Sequence, residues 1–109
     1  MLHLSVEGHD IKFSFSHLRH LGQEAGVTDA TVCTFELDGK TYTGLAACSA
    51  HDTFNKETGR KLALARALKQ LTLSKKVREA IWQRYFNRGV PNGQYFFNEA
   101  LVGVPVARY

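Results

Sequence analysis

The dipeptide Asp38-Gly39 lies between two runs of alternating apolar and polar residues, 31–37 and 40–48. A two-residue type I′ turn needs positive φ at both central positions, and Asp-Gly is one of the few pairs that accept it. Such a turn sets the register: Leu37 faces Lys40, Phe35 faces Tyr42 and Cys33 faces Gly44. Side chains alternate across a strand, so Cys33, Phe35, Leu37, Tyr42, Ala46 and Cys48 share one face. Val32, Thr34, Glu36, Thr41, Thr43, Leu45 and Ala47 share the other. The Phe35–Tyr42 pair reinforces this pairing. Cys33 and Cys48 are not opposite one another, which argues against a disulfide. Two cysteines in such a chain fit a reducing cytoplasm, where both stay thiols.

Upstream, Leu2, Leu4 and Val6 alternate with polar residues, as do Ile11, Phe13 and Phe15. With Gly8-His9-Asp10 between them, they predict a second hairpin with one buried face. Residues 17–21 either make a short helical turn or extend the strand. Residues 22–30, polar and with two glycines, read as a loop.

Downstream, periodicity changes from two to between three and four. Leu64, Leu68 and Leu71 recur at helical spacing, with Ala65 beside them and Leu62 at the edge. Residues 52–71 are expected to be helical. Asp52, Thr53 and Asn55 are the candidate N-caps, and Glu57 lies in the first turn, where the helix dipole favours a carboxylate. Gly59 costs a helix about 1 kcal/mol relative to Ala. It marks either a close approach by another backbone or a ligand, or a frayed first turn. Arg60, Lys61, Arg66 and Lys69 stay off the leucine stripe. Ser74 is the expected N-cap of a second helix, 75–86, with a Val77, Ile81, Tyr85 stripe and a neighbouring Trp82, Phe86 stripe. Asn87-Arg88-Gly89 ends it, with Gly89 near the left-handed position and Pro91 beyond. The apolar segment from Asn92 onward reads as an edge strand or as an arm that docks on a second copy.

A chain of 109 residues is expected to form one domain, α+β: an antiparallel sheet of about four strands packed on one face by two helices. No apolar run approaches the ~20 residues of a transmembrane helix, and the first residues lack a signal peptide's basic and apolar regions. A membrane role is not expected. The net charge of +4 is unevenly placed, because ten of fourteen basic residues fall between Lys56 and Arg88, opposed only by Glu57 and Glu79. Such a cluster attracts phosphate, nucleic acid or an acidic protein face; it equally serves as a solvated helix surface.

No Gly-rich phosphate loop, nucleophile elbow or HExxH motif is present. His17 and His20 are two potential metal ligands, too few for a structural site. Neither a cofactor nor a metal is expected, and the chain is not expected to be an enzyme. The second helix is more informative. Arg78 and Trp82 are four apart, placing a guanidinium over an indole. Trp82 and Phe86, with Arg60 or Arg66 nearby in space, would give a flat aromatic surface beside positive charge, which suits a nucleotide. The same aromatic spacing also suits packing against the sheet.

From Cys33 to Tyr85 the sequence runs from a hairpin ending TGLAACS, through HDTFNKETGRKLALARAL, to a helix carrying VREAIWQRYF. This resembles small bacteriophage proteins that combine a strand hairpin with two helices, most closely the first family of Thoeris anti-defence proteins. The resemblance covers about half the chain. It implies a sponge that binds a cyclic ADP-ribose-type immune signal without chemistry, acts in the host bacterial cytoplasm and assembles as a homo-oligomer. On this resemblance Arg60 carries an arginine contact, Trp82 and Phe86 the stacking, and Asn92 a polar contact. Two other functions fit the pattern. One is an anti-CRISPR-like inhibitor that binds an acidic or nucleic-acid-binding host protein. The other is a double-stranded-RNA-binding-like module, with Lys56, Arg60 and Lys61, and Arg66 beyond them, facing the anion.

Overall fold

A computed structural model describes residues 1–19, 27–49, 55–98 and 100. Four strands, β1 (Leu2–Val6), β2 (His9–Leu18), β3 (Val27–Leu37) and β4 (Lys40–Ser49), form one antiparallel sheet in sequence order. Helices α1 (Lys56–Leu68) and α2 (Lys75–Phe86) cover one face of it. The fold is therefore α+β, as the two periodicities require.

The β3–β4 turn is the expected one. Asp38 and Gly39 both have positive φ, and Leu37, Phe35 and Cys33 pair with Lys40, Tyr42 and Gly44. The β1–β2 turn sits one residue earlier than expected, at Glu7-Gly8, where φ is 49° and 79°. Consequently His9 and Asp10 are strand residues, paired with Val6 and Ser5. Asp38 ties the two turns together: its carboxylate accepts from Asp10 N at 2.7 Å and from His9 Nδ1 at 2.8 Å. These hydrogen bonds, Asp10's first, hold the Asp38 carboxyl below the ordinary carboxylate range. Residues 17 and 18 extend β2, and β3 begins at Val27, so the expected loop was drawn too long. Its residues 22–26 lie outside the described residues.

The covered face carries Ile11, Phe13, Cys33, Phe35 and Ala46, all buried. Phe13 pairs with Phe35 across β2 and β3, and their rings stack at 5.9 Å. Burying each such ring contributes roughly 1.5–3 kcal/mol. Burial pushes the Cys33 thiol up to about 12, so at neutral pH it is an inert core group.

Helix α1 starts at Asn55, whose side chain accepts from Thr58 N; Asp52 and Thr53, the other candidate caps, lie outside the described residues. Its buried face holds the expected Leu64 and Leu68, with Leu71 packed at the margin, and extends to the alanines on one side. Ala63 and Ala67 are buried, Ala65 is half-buried and Leu62 is 44% exposed. Two glycines allow the close approach on that side. At Gly44 of β4 a Cβ would lie inside van der Waals contact of Ala63 O and 2.5 Å from Ala67 N, so the helix backbone rests directly on the strand. At Gly59 a Cβ would overlap Thr31 Oγ1 and come within 3.1 Å of Thr31 Cβ. The partner that approaches Gly59 is thus the sheet, not a ligand. Gly59→Ala should lower stability by about 1–2 kcal/mol despite the better helix propensity of Ala. In the Thr31→Ala background the same change should cost less than 0.5 kcal/mol or stabilise, and a urea-melt double-mutant cycle measures the difference.

Helix α2 has the predicted bounds, with Ser74 Oγ accepting from Val77 N and Val77, Ile81 and Tyr85 buried. Its end differs in detail. Asn87 is the C-cap at φ −107°, and Gly89 is not left-handed. Among the described residues of the following segment, 92–98 and 100, there is no strand. Asn92–Gln94 form a 3₁₀ turn, and Asn98 exchanges hydrogen bonds with the Gln83 side chain. Residues 89–98 therefore strap back along α2, while 99 and 101–109 lie outside the described residues.

Both sheet edges carry side-chain plugs. On β1, His3 N donates to Asn92 Oδ1 at 3.1 Å and His3 O accepts from Arg84 Nε at 3.1 Å. On β4, Leu45 O accepts from Arg66 Nη1 at 2.7 Å and Thr43 O from Gln70 Nε2 at 2.6 Å.

Candidate anion-binding site

The N-terminal turn of α1 and the C-terminal turn of α2 meet over the end of β2. The Asn55 cap places Glu57 and Arg60 in the first turn of α1, and the α2 end at Phe86 leaves Arg84 and Arg88 flanking its last turn. Glu57 joins the two helices. Its Oε2 accepts from Arg60 Nη2 at 2.6 Å and from Arg88 Nη2 at 2.9 Å. Its Oε1 accepts from Tyr85 Oη at 2.8 Å and lies 3.7 Å from Lys61 Nζ. Burial alone would raise this carboxyl; the hydrogen bonds from Arg60 and Tyr85 and the charge of Arg88 outweigh it and hold the group below its usual range. The shared carboxylate lets guanidiniums from two helices lie side by side.

Arg88 also stacks on the Tyr85 ring, with Cζ 4.5 Å from its centroid. Arg60 Nη1 approaches His17 Nε2 at 3.4 Å, and His17 Nδ1 bonds Thr31 Oγ1 at 2.9 Å. Burial, then the charges of Arg60, Lys56 and Arg19, lower the His17 pKa. The neutral ring fits this geometry, donating from Nδ1 and accepting at Nε2. The Nε of Arg60 is buried without a hydrogen-bond partner among the described residues.

Arg84 is 1% exposed. It donates to the carbonyls of His3, Asn87 and Val90 and to Asn92 Oδ1, at 2.7–3.1 Å, and its Cζ lies 4.6 Å from the Tyr95 ring centroid. None of these partners is a carboxylate. The charge is held by dipoles and a ring face.

Arg60, Arg84, Arg88, His17, Phe15 and Asn92, with the start of the strap, line an open hollow of about 550 Å³. Among the described residues, no acidic side chain lines it. Three guanidiniums and a neutral imidazole beside an aromatic ring favour a small anion that also carries apolar surface.

The residues expected to form one site are split between two places. Arg60 and Asn92 line this hollow, although the Asn92 amide already serves His3, Arg84 and Met1. Arg78 and Trp82 line a second hollow of about 450 Å³, with Lys69 and leucines from the end of α1. The indole is half-buried, and its ring partners are Tyr85 and Phe86, the latter stacked at 6.1 Å. Phe86, 36% exposed, carries Lys61 Nζ 5.7 Å from its centroid. Lys61, expected on the solvent side, is buried beside Glu57. Lys56 is exposed at the start of α1, and Arg66 is spent on β4.

Arg84, Arg88, His17 and Phe15 were not expected here. The run of basic residues contained both arginines, but Arg88 is held by Glu57 of the other helix and Arg84 by His3 O on β1, partners distant in sequence. Among the described residues, no three His, Cys, Asp or Glu side chains group as a metal ion would need, and no helix is long and apolar enough to cross a membrane. No protein-family model, curated protein or solved structure matches the chain.

Proposed function

We propose that this protein sequesters a small phosphorylated ligand of the nucleotide type, without chemistry on it. The observation that carries this is the arginine-lined hollow, where Arg60, Arg84 and Arg88 converge beside Phe15 and, among the described residues, no carboxylate lines the wall. The resemblance to Thoeris anti-defence proteins supplies the ligand class, a cyclic ADP-ribose-type signal, and the setting, counter-defence by a phage protein in the bacterial cytoplasm. It also supplies self-association. Arg66, though exposed, donates to the Leu45 carbonyl on β4, which favours a small ligand over a nucleic-acid duplex read along α1.

A panel of cyclic ADP-ribose isomers and cyclic oligonucleotides tests the proposal by thermal shift. A binder present at about 100 times its Kd should stabilise the fold by roughly 2.7 kcal/mol, and the ligand should be recovered intact after denaturation. Arg60→Gln should remove most of the shift. If no member of the panel raises Tm, or if the recovered ligand is altered, the proposal fails.

A further inference from the structure

The same hollow carries information about the charge of its ligand; the argument rests on the proposal that it binds a phosphorylated molecule. Arg60, Arg84 and Arg88 contribute three positive charges to its wall. The carboxylate they share is that of Glu57, which touches Arg60 and Arg88 and also serves Lys61 and Tyr85. Arg84 has no carboxylate partner among the described residues, and at 1% exposure it is poorly screened by water. His17 adds no charge at neutral pH, because its pKa is lowered. About two positive charges therefore remain uncompensated around the hollow. Donor capacity remains too, at Arg60 Nη1, whose contact with His17 Nε2 is long at 3.4 Å.

We infer that the hollow selects a doubly charged phosphate group, a phosphomonoester or a diphosphate, over a singly charged anion. One negative charge would leave the wall net positive, whereas two match it.

The test compares methyl phosphate with dimethyl phosphate at pH 8, followed by NMR at the arginine Nε–Hε resonances. The two probes differ by one methyl group and one charge, since the second phosphate pKa is about 6. Methyl phosphate should bind about tenfold more tightly and shift Arg60 and Arg88. Arg88→Gln, at an exposed position, should remove most of that preference, and Arg78→Gln should leave it unchanged. Equal affinity for the two probes, or shifts centred on Arg78, would overturn the inference. AMP and ribose 5-phosphate complete the series. If AMP binds no more tightly than ribose 5-phosphate while methyl phosphate still outcompetes dimethyl phosphate, the charge selection stands and the nucleotide proposal falls. If no phosphate binds, both fall.

Discussion

Replacing Arg84 with Met should destabilise the protein by about 3 kcal/mol, a Tm loss of roughly 12–24 °C for a domain of this size. The guanidinium serves four acceptors: His3 O on β1, Asn87 O and Val90 O at the end of α2, and Asn92 Oδ1 in the strap. Met fills much of the volume and removes a desolvated charge, which recovers several kcal/mol. Against this, four charge-assisted hydrogen bonds are lost, each worth about 1.5–3 kcal/mol, and His3 O is left without its donor on a covered edge. The hydrogen bonds outweigh the charge. Arg84→Lys keeps the charge but cannot span four acceptors from one ammonium, so it should lose about half as much. Urea melts measure both variants. A loss under 1 kcal/mol for Met would show that water replaces the guanidinium at no cost.

Gly44→Ala should be comparably severe through a different mechanism. The added methyl would meet Ala63 O and Ala67 N, both helix backbone atoms that no side-chain rotation can move. Either α1 lifts off β4 or the strand bends, and Leu64 and Leu68 lose packing in both cases. Overpacking of this kind costs about 1–3 kcal/mol where side chains can yield, and rigid backbone puts it at the upper end. The lower entropy of the unfolded Ala variant returns about 0.4–1 kcal/mol, leaving a net loss near 2–3 kcal/mol. Gly93→Ala is the control, since nothing lies within 4 Å of its Cβ, and it should stay within about 0.5 kcal/mol of the parent. Equal melting of the two variants would contradict the close approach at Gly44.

The elements were legible in the sequence where local chemistry decides them. Asp38-Gly39 is nearly sufficient to place β3 against β4, and the Ser74 cap with the Val77, Ile81, Tyr85 stripe bounds α2. The first hairpin turn was misplaced because Glu7 is an unusual residue for positive φ, while Gly8-His9-Asp10 has the look of a turn. The leucine stripe of α1 is buried as expected, but the buried face is wider than the stripe for a physical reason. A leucine stripe shows which side is apolar, but Gly44 and Gly59 let the alanine side come closest to the sheet. Leu62 stays outward, and Lys61, on the flank opposite Ala63 and Ala67, is buried beside Glu57.

The candidate site was less legible than the fold. The sequence shows a run of basic residues but not which of them converge. Arg60 and Arg88 meet because both bond to Glu57, and Arg84 turns inward because carbonyls from positions 3, 87 and 90 surround it. Such convergence is tertiary, and no spacing along one helix encodes it. Arg66 and Asn92 show the complementary case. Both were expected to face a ligand or anion; each bonds a strand margin, and Asn92 lines the hollow as well.

Those margins bear on how copies of this chain can meet. An incoming foreign strand needs a row of free amides and carbonyls to zip onto. At His3 on one side, and at Thr43 and Leu45 on the other, an arginine and a carboxamide already occupy that row. Growth of the sheet from molecule to molecule would first have to strip these side chains away.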